Sequence, residues 1–556
     1  MILALVGAAS LVAFSPALQN EFVHWDDYDN YVNNRHIRSL SPQNFAWMAT
    51  SKLLAVWQPL TWLLTALEYQ LADAADSAAF RAVIAAVSLA LHAACGVLCY
   101  LLSARLLRLA MPMRADRSPG GLRFVSAMAA LLFLVHPLRC ETVAWASGQP
   151  YLFAAAACLA SLWCYLKAHE TGHRRWHLLA LALLAASLLC KSIAVPLWAA
   201  FLVLDWYPLR RIGGDRGWSW PLARQLLVEK LPYFLVTCAA VAFAVWATWT
   251  SKTYPADPPL VKALVVCYCV AFYVAKTILP VGLAPYYARP QPITTVTGDP
   301  WFITAALAVA AAALAAFVLR RRAPWLTASV LIYAAFILPV AGFVKHGGQL
   351  AADRYAYLSC IPWALLAAAG LLRLWRVAAS PAAARNTRRC LFVVGAVAIS
   401  ALAADSRAYC RSWKDSITLW TAMLDRNPAW HMGYYNLAKR YKAKGDMETA
   451  ERLYLRGIEI YPLYPEANVD LGNLLFDRGD LDGAVDRYER ALRGRKDFHM
   501  AHYNIARVLM KRGRFDEAGR HLRLAELDAQ RSDPAKLPMI RGQLDAVHRV
   551  EEMLTP

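Results

Sequence analysis

The stretch 2–28, ILALVGAASLVAFSPALQNEFVHWDDY, decides how this chain is read. Nineteen residues without a charge, 2–20, long enough to enter a bilayer core, lead past Glu21 to the carboxylate pair Asp26-Asp27 between Trp25 and Tyr28. Ionisable groups at the mouth of an apolar helix are costly, and they need water, a cation or a reaction beside them. A solvated acidic loop is the plain alternative. No Lys or Arg precedes the apolar run, which argues against a cleaved leader, so 2–19 is read as a retained first span.

Outward from this stretch the same pattern repeats. The chain is 58% hydrophobic with a mean hydropathy of +0.33, too apolar for a soluble protein of 556 residues. Twelve apolar blocks are candidate spans: 2–19, 80–102, 122–138, 150–167, 176–190, 193–207, 231–250, 260–280, 301–319, 325–343, 358–376 and 390–404. Several are short enough to be tilted, broken or re-entrant. The net charge of +20 is uneven, with +4 on 406–556 and +16 on 1–405. That excess sits in five clusters: Arg105 to Arg123 (with Arg108, Arg114 and Arg117), Lys167 with His173, Arg174 and Arg175, Arg210 to Lys230 (with Arg211, Arg216 and Arg224), Arg320 to Arg322, and Arg373 to Arg389. Basic loops stay on the cytoplasmic side. The segments 20–79, 139–149, 191–192, 344–357 and the tail from 406 then lie outside, which puts Asp26, Glu141, Lys191 and Arg354 on one face. Parity requires that one stretch within 231–280 does not fully cross, leaving eleven spans with the N-terminus inside and the C-terminus outside. No basic stripe marks the tail, so nucleic-acid binding is excluded. The twelve cysteines all fall at or before Cys410, most of them inside apolar blocks, and have no zinc-like spacing; they read as small buried hydrophobes. In the outer loop 20–79, the stretch Phe45 to Leu71 carries Trp47, Trp57 and Trp62 and suits helices lying in the interface.

The tail repeats with a period of 34. Ala450, Ala484 and Ala518 are its markers. Around them recur Tyr434, Leu437, Ala438, Tyr441 and Tyr454, then Asn468, Leu471, Gly472, Leu475 and Tyr488, then His502, Ile505, Ala506, Leu509 and Leu522. Gly445-Asp446, Gly479-Asp480 and Gly513-Arg514 are the turns between paired helices. Small residues admit the neighbouring helix and large ones fill the space between. This is a tetratricopeptide array with units near 431–464, 465–498 and 499–532, capped by Trp413 to Pro428 and by 534–552. Such arrays offer a concave groove to an extended peptide or partner. The expected fold is therefore all-α: a polytopic helical membrane domain over 1–405, then a tetratricopeptide-repeat solenoid over 406–556.

Polar residues punctuate the membrane half: His136-Pro137, Glu141, Lys191, Asp205, Lys276 and Asp353-Arg354-Tyr355. Singly, a His or Lys at a helix end snorkels or caps. Together, acids and bases on one outer face fit a substrate that is both anionic and lipid-soluble. Glycosyl transfer from a polyprenyl-phosphate sugar meets that description. Cations hold the phosphate as leaving group, a carboxylate takes the acceptor hydroxyl's proton, and one displacement inverts the anomeric carbon.

On these residues the chain resembles bacterial membrane proteins with tetratricopeptide repeats, related to the transmembrane and tetratricopeptide-repeat O-mannosyltransferases of the GT-C superfamily. The matching segments include Phe22 to Asp27, Trp57 to Thr61, His136 to Leu138 with Glu141 to Trp145, and Leu189 to Ser192. They continue with Asp205 to Pro208, Glu229 to Tyr233, Pro280 to Ala284 and Asp353 to Leu358. The resemblance implies a GT-C fold in a bacterial cytoplasmic membrane, with the repeats outside. It implies a polyprenyl-phosphate-sugar donor and a protein Ser/Thr acceptor reached through the repeats. Asp26 or Asp27 would be the base, with Asp26 favoured, while His136, Glu141, Lys191, Arg354 and Tyr355 would bind substrate. A divalent metal on Asp26 and Asp27 is open, with no third oxygen ligand identifiable. Two departures bear on donor recognition. Gln149-Pro150-Tyr151 stands where the family carries a basic residue, and Arg81 to Ser88 lacks the family's usual His and Asn. Two other readings stay open: a non-enzymatic membrane scaffold for envelope proteins, and a lipid-linked glycan ligase or transporter.

Overall fold

The computed structural model describes residues 2–72, 77–111, 119–213, 217–249, 257–290, 292–343, 348–377 and 381–554. Arg114, Arg117 and Arg216 of the basic clusters, and part of the expected outer loop 344–357, lie outside the described residues. The chain divides into two compact units, Met1–Asp415 and Ser416–Pro556. This division lies beyond the 405/406 boundary read from hydropathy because the last apolar helix continues to Cys410 and a further turn runs to Trp413.

The first unit contains α1 (Ile2–Phe14), α2 (Pro42–Thr50), α3 (Pro59–Leu71), α4 (Ser77–Ala110), α5 (Pro119–Leu134), α6 (Cys140–Ala144), α7 (Gln149–Thr171) and α8 (Arg174–Cys190). It continues with α9 (Leu197–Trp206), α10 (Trp220–Thr248), α11 (Pro259–Ile278), α12 (Pro300–Leu319), α13 (Pro324–Ile337), α14 (Ala356–Ser359), α15 (Ile361–Val377) and α16 (Pro381–Cys410). Six helices among the described residues are long and apolar enough to cross a membrane, or eight if each of two bent pairs counts as one span; three shorter apolar helices accompany them. Hydropathy suggested eleven spans. Large apolar side chains such as Leu307, Leu314 and Phe317 on α12 and Phe392, Val394 and Val397 on α16 face outward, as a lipid-facing surface requires.

Two helix breaks position the polar groups. The segment 120–134 meets 137–144 at 56°, at His136-Pro137, where proline cannot continue the hydrogen-bond ladder. The segment 353–359 meets 361–376 at 51°. Buried Arg139 joins the two breaks by donating to Phe133 O at 3.3 Å and to Ala356 O at 2.9 Å. The only strands among the described residues are β1 (Tyr287–Ala288) and β2 (Gln349–Ala351), an antiparallel pair with Tyr287 opposite Ala351. The helix α3, expected to lie in an interface, is packed into the first unit. Its Trp62 and Tyr69 are buried in one cluster with Tyr31, Phe80 and Ile84.

The second unit is a stack of helices: α17 (Ser416–Arg426), the pairs α18 (His431–Ala443) with α19 (Met447–Ile460), α20 (Pro465–Asp477) with α21 (Leu481–Gly494), α22 (His499–Lys511) with α23 (Phe515–Ser532), and α24 (Leu537–Leu554). Gly445, Gly479 and Gly513 turn the chain between paired helices at φ of 86°, 87° and 73°. Asp446 and Asp480 cap the following helices through the Thr449 and Gly483 amides; the third turn has Arg514 there and no side-chain cap. Ala450, Ala484 and Ala518 are fully buried. A Cβ at Gly472 would come within 2.5 Å of the Tyr488 ring, so only glycine allows that approach. Trp413, expected to begin the capping helix of this stack, instead stacks on Trp145 in the first unit at 5.6 Å.

Candidate active site

The segment 20–41 enters the site as an irregular strap. A single π-helical turn, Tyr28–Val32, follows the acid pair; such turns recur at functional sites. The two carboxylates have different environments. Asp27 is fully buried. Its Oδ2 accepts the Val23 amide at 3.0 Å, and its Oδ1 accepts both the Ser147 amide at 3.0 Å and the Ser147 hydroxyl at 2.5 Å. Burial pushes its carboxyl up to about 6 against these bonds and the nearby Arg81 guanidinium. Asp27 therefore pins the strap to the 146–148 turn. Asp26 is half-buried, and its side chain has no hydrogen-bond or ion-pair partner among the described residues. It faces Arg354 and Lys191, with Asp29 and Glu141 further along. Burial raises its carboxyl above the usual range, and the two cations pull it back down.

Opposite lie the residues of the two broken helices and of the α8–α9 junction. Glu141, 1% exposed, accepts the Arg354 backbone amide at 2.7 Å and pairs with the Arg354 guanidinium. Asp353 holds the same turn from below, accepting the Tyr287 hydroxyl at 2.8 Å and the Tyr409 hydroxyl at 3.0 Å. Arg354 lies over Trp145 and Tyr355, with Tyr151 beside it. Lys191 leaves the helical path between α8 and α9, donates to Gln58 Oε1 at 3.3 Å and lies 5.2 Å from the Tyr151 ring centre. Burial and the Arg354 charge lower its ammonium to about 8, and Asp26 opposes that. Gly148 is required here, because a Cβ would stand 2.7 Å from Glu141 O and 2.8 Å from Thr142 O.

Asp26, Glu141, Lys191 and Arg354, scattered over more than 320 positions of sequence, therefore meet. Of the four, Arg354 lines a crevice, together with Tyr355 and with Ser192, the neighbour of Lys191. That crevice shares Phe336 and Leu358 with a second, larger apolar groove between α4, α7, α9, α13 and α15. Along α13 the groove runs from Trp325 to Phe336, about 16 Å of helix.

Not every expected residue belongs to the site. His136 is turned away: its Nε2 bonds Thr277 O at 3.1 Å and its Nδ1 accepts the Leu138 amide at 3.2 Å, so it caps the break. Both Asp27 oxygens are already engaged, so the pair does not fit a shared divalent cation, and cations already face Asp26. Sequence reasoning missed Gln58, Tyr151, Trp145 and the counter-ion Arg81. Gln58, Trp145 and Tyr151 fell within segments singled out by the resemblance, and Arg81 was a lone charge at the edge of an apolar block, but no spacing gave any of them a role. Elsewhere, His169, His177 and Glu229 are close enough to hold a metal, but the Arg211 guanidinium already lies 3.3 Å from His169 Nε2 and 2.9 Å from Glu229 Oε1.

The architecture defines a class: a helical protein with several apolar helices compatible with a multi-pass membrane protein, a charged crevice built on broken helices, and a tetratricopeptide-repeat unit. Tetratricopeptide-repeat family models match residues 433–462 and 469–534. The chain is also similar to Protein O-mannosyl-transferase TMTC4 of Homo sapiens, 27% identical over 219 residues, and to its Mus musculus counterpart, 28% identical over 220 residues. Each alignment covers 36% of this chain and 28% of the relative, so the chain spans little more than a quarter of the length of the curated relatives it matches.

Proposed function

We propose that this protein is a membrane glycosyltransferase of GT-C type that moves a sugar from a polyprenyl-phosphate donor to a Ser/Thr hydroxyl of a protein acceptor outside the cytoplasm. The observation that carries this reading is the Asp26 carboxylate, without a partner among the described residues, facing Lys191 and Arg354, of which Arg354 lines a crevice that shares Phe336 and Leu358 with an apolar groove. The lipid chain lies in the groove. Its phosphate meets Lys191 and Arg354, and Glu141 holds Arg354 in place. The acceptor hydroxyl gives its proton to Asp26 as its oxygen bonds the anomeric carbon. The bond from that carbon to the phosphate oxygen breaks, the electron pair leaves with polyprenyl phosphate, and the configuration inverts. Charge favours this division of labour. Asp26, Glu141, Lys191 and Arg354 are together formally neutral. When Asp26 takes the proton the group gains one positive charge, as the leaving phosphate gains one negative charge. No step needs a metal. The repeat unit presents the acceptor, in keeping with the protein substrates in the relatives' printed names.

The test is transfer of labelled sugar from polyprenyl-phosphate donors, beginning with mannose, to Ser/Thr peptides by the full chain in nanodiscs. Asp26→Asn should abolish product while expression and unfolding behaviour stay unchanged. Undiminished transfer by that variant sinks the assignment. Glycan product in place of glycopeptide favours the ligase, and no donor consumption by the wild type favours the scaffold.

A further inference from the structure

Behind the crevice, Glu68 of α3 faces Gln149, the first residue of α7; they are 4% and 0% exposed. The Gln149 amide nitrogen uses both its hydrogens, donating to Glu68 Oε1 at 2.8 Å and to Ile84 O at 3.1 Å. This orients the amide, because the reverse orientation would aim its oxygen at the Ile84 carbonyl. The other half of each group is unsatisfied: Glu68 Oε2 and Gln149 Oε1 are both buried without a hydrogen-bond partner. An ionised Glu68 would leave two acceptors orphaned on one bonded pair, with no cation within ion-pair distance of the carboxylate among the described residues.

We propose that Glu68 carries a proton at neutral pH and closes a two-hydrogen-bond acid–amide ring with Gln149, latching α3 to the start of α7. The acid O–H donates to Gln149 Oε1 and the Gln149 N–H donates to Glu68 Oε1, so one proton satisfies both orphans. Burial pushes the Glu68 carboxyl up to about 8, in the same direction. Two buried donors nearby, Arg81 Nε and the Thr65 hydroxyl, have no hydrogen-bond partner, yet neither bonds Glu68, whose one side-chain partner among the described residues is Gln149. Arg81 of α4 bonds Ala144 O and faces Asp27. The Tyr31 hydroxyl of the outer loop donates to Ala146 O. Cys190 of α8 lies beside Thr61, whose hydroxyl bonds its carbonyl. The latch sits two residues from Ser147, so it backs the turn that holds Asp27. It stands independently of the transferase assignment.

Glu68→Gln tests it, because that amide can make the same two bonds without a proton. The full chain in nanodiscs at pH 6.5 should show a protonated-carboxyl C=O band in the infrared that Glu68→Gln lacks. Glu68→Gln should be no less stable than the wild type at pH 6. A carboxyl raised from 4.5 to about 8 binds its proton more tightly when folded, so wild-type stability falls as pH rises through that window. The ratio of wild-type to variant unfolding constants should therefore climb about tenfold per pH unit and level off near pH 8. A wild type without that band, a pH-independent ratio, or a Glu68→Gln chain that does not fold overturns the latch.

Discussion

Glu141→Gln should destabilise the first unit strongly. Glu141 is 1% exposed and serves Arg354 twice, through its backbone amide and its guanidinium. The glutamine keeps one carbonyl for the amide but turns an N–H toward the guanidinium. Arg354 is left beside Lys191 with only the half-buried Asp26 to balance two cations. Removing one member of a buried pair typically costs about 3–5 kcal/mol, whereas removing both costs far less because no charge is stranded. The assay is a double-mutant cycle on unfolding in mixed detergent micelles with Glu141→Gln, Arg354→Gln and the double variant. The expected loss for Glu141→Gln is about 3–5 kcal/mol, with the double variant recovering at least half of it. A single-variant loss below about 1 kcal/mol, or a double variant no better than the sum of the singles, would refute the claim that this pair is a desolvated, mutually dependent unit.

The pH–rate profile of transfer should be bell-shaped. The acid limb rises as Asp26 loses its proton, above the usual carboxylate range, and the alkaline limb falls near pH 8 as Lys191 loses its own. Lys191→Arg should carry the alkaline limb upward, and an unmoved limb in that variant removes Lys191 from the assignment. Gly148→Ala drives a Cβ to 2.7 Å from Glu141 O; we expect transfer to fall at least tenfold through displacement of Glu141, and normal kinetics would show that the turn relaxes freely. Gly472→Ala pushes against the Tyr488 ring and should cost the repeat unit about 1–3 kcal/mol. Hydrogen exchange of α20 and α21 in the full chain reads this out, and unchanged protection there contradicts the packing argument.

The repeats were legible because their information is local and periodic. Ala450, Ala484 and Ala518 recur at the spacing at which one helical hairpin stacks on the next, and the turn glycines stand where φ must be positive. The apolar blocks were legible because bilayer thickness sets their length. The site was legible in part. Each of Glu141, Lys191 and Arg354 stood out as an ion where an apolar helix ends or breaks. What failed is equally local: His136 has the same signature as Lys191, yet it caps its own break, and Asp27 has the same neighbours as Asp26, yet it is spent on Ser147. Nothing along the chain announces which of two adjacent carboxylates turns inward.

Residue order alone thus determined the all-helical class, the run of apolar segments and the 34-residue array, because hydropathy and helical period act within one segment at a time. Tertiary structure alone decided that Asp27 is bound while Asp26 has no partner among the described residues, and that Glu141 neutralises Arg354 across more than 200 residues. It also set Glu68 against Gln149, and joined the cationic crevice to an apolar groove. Those outcomes depend on desolvation, and how much water a charged group loses is set by whichever distant helices close around it.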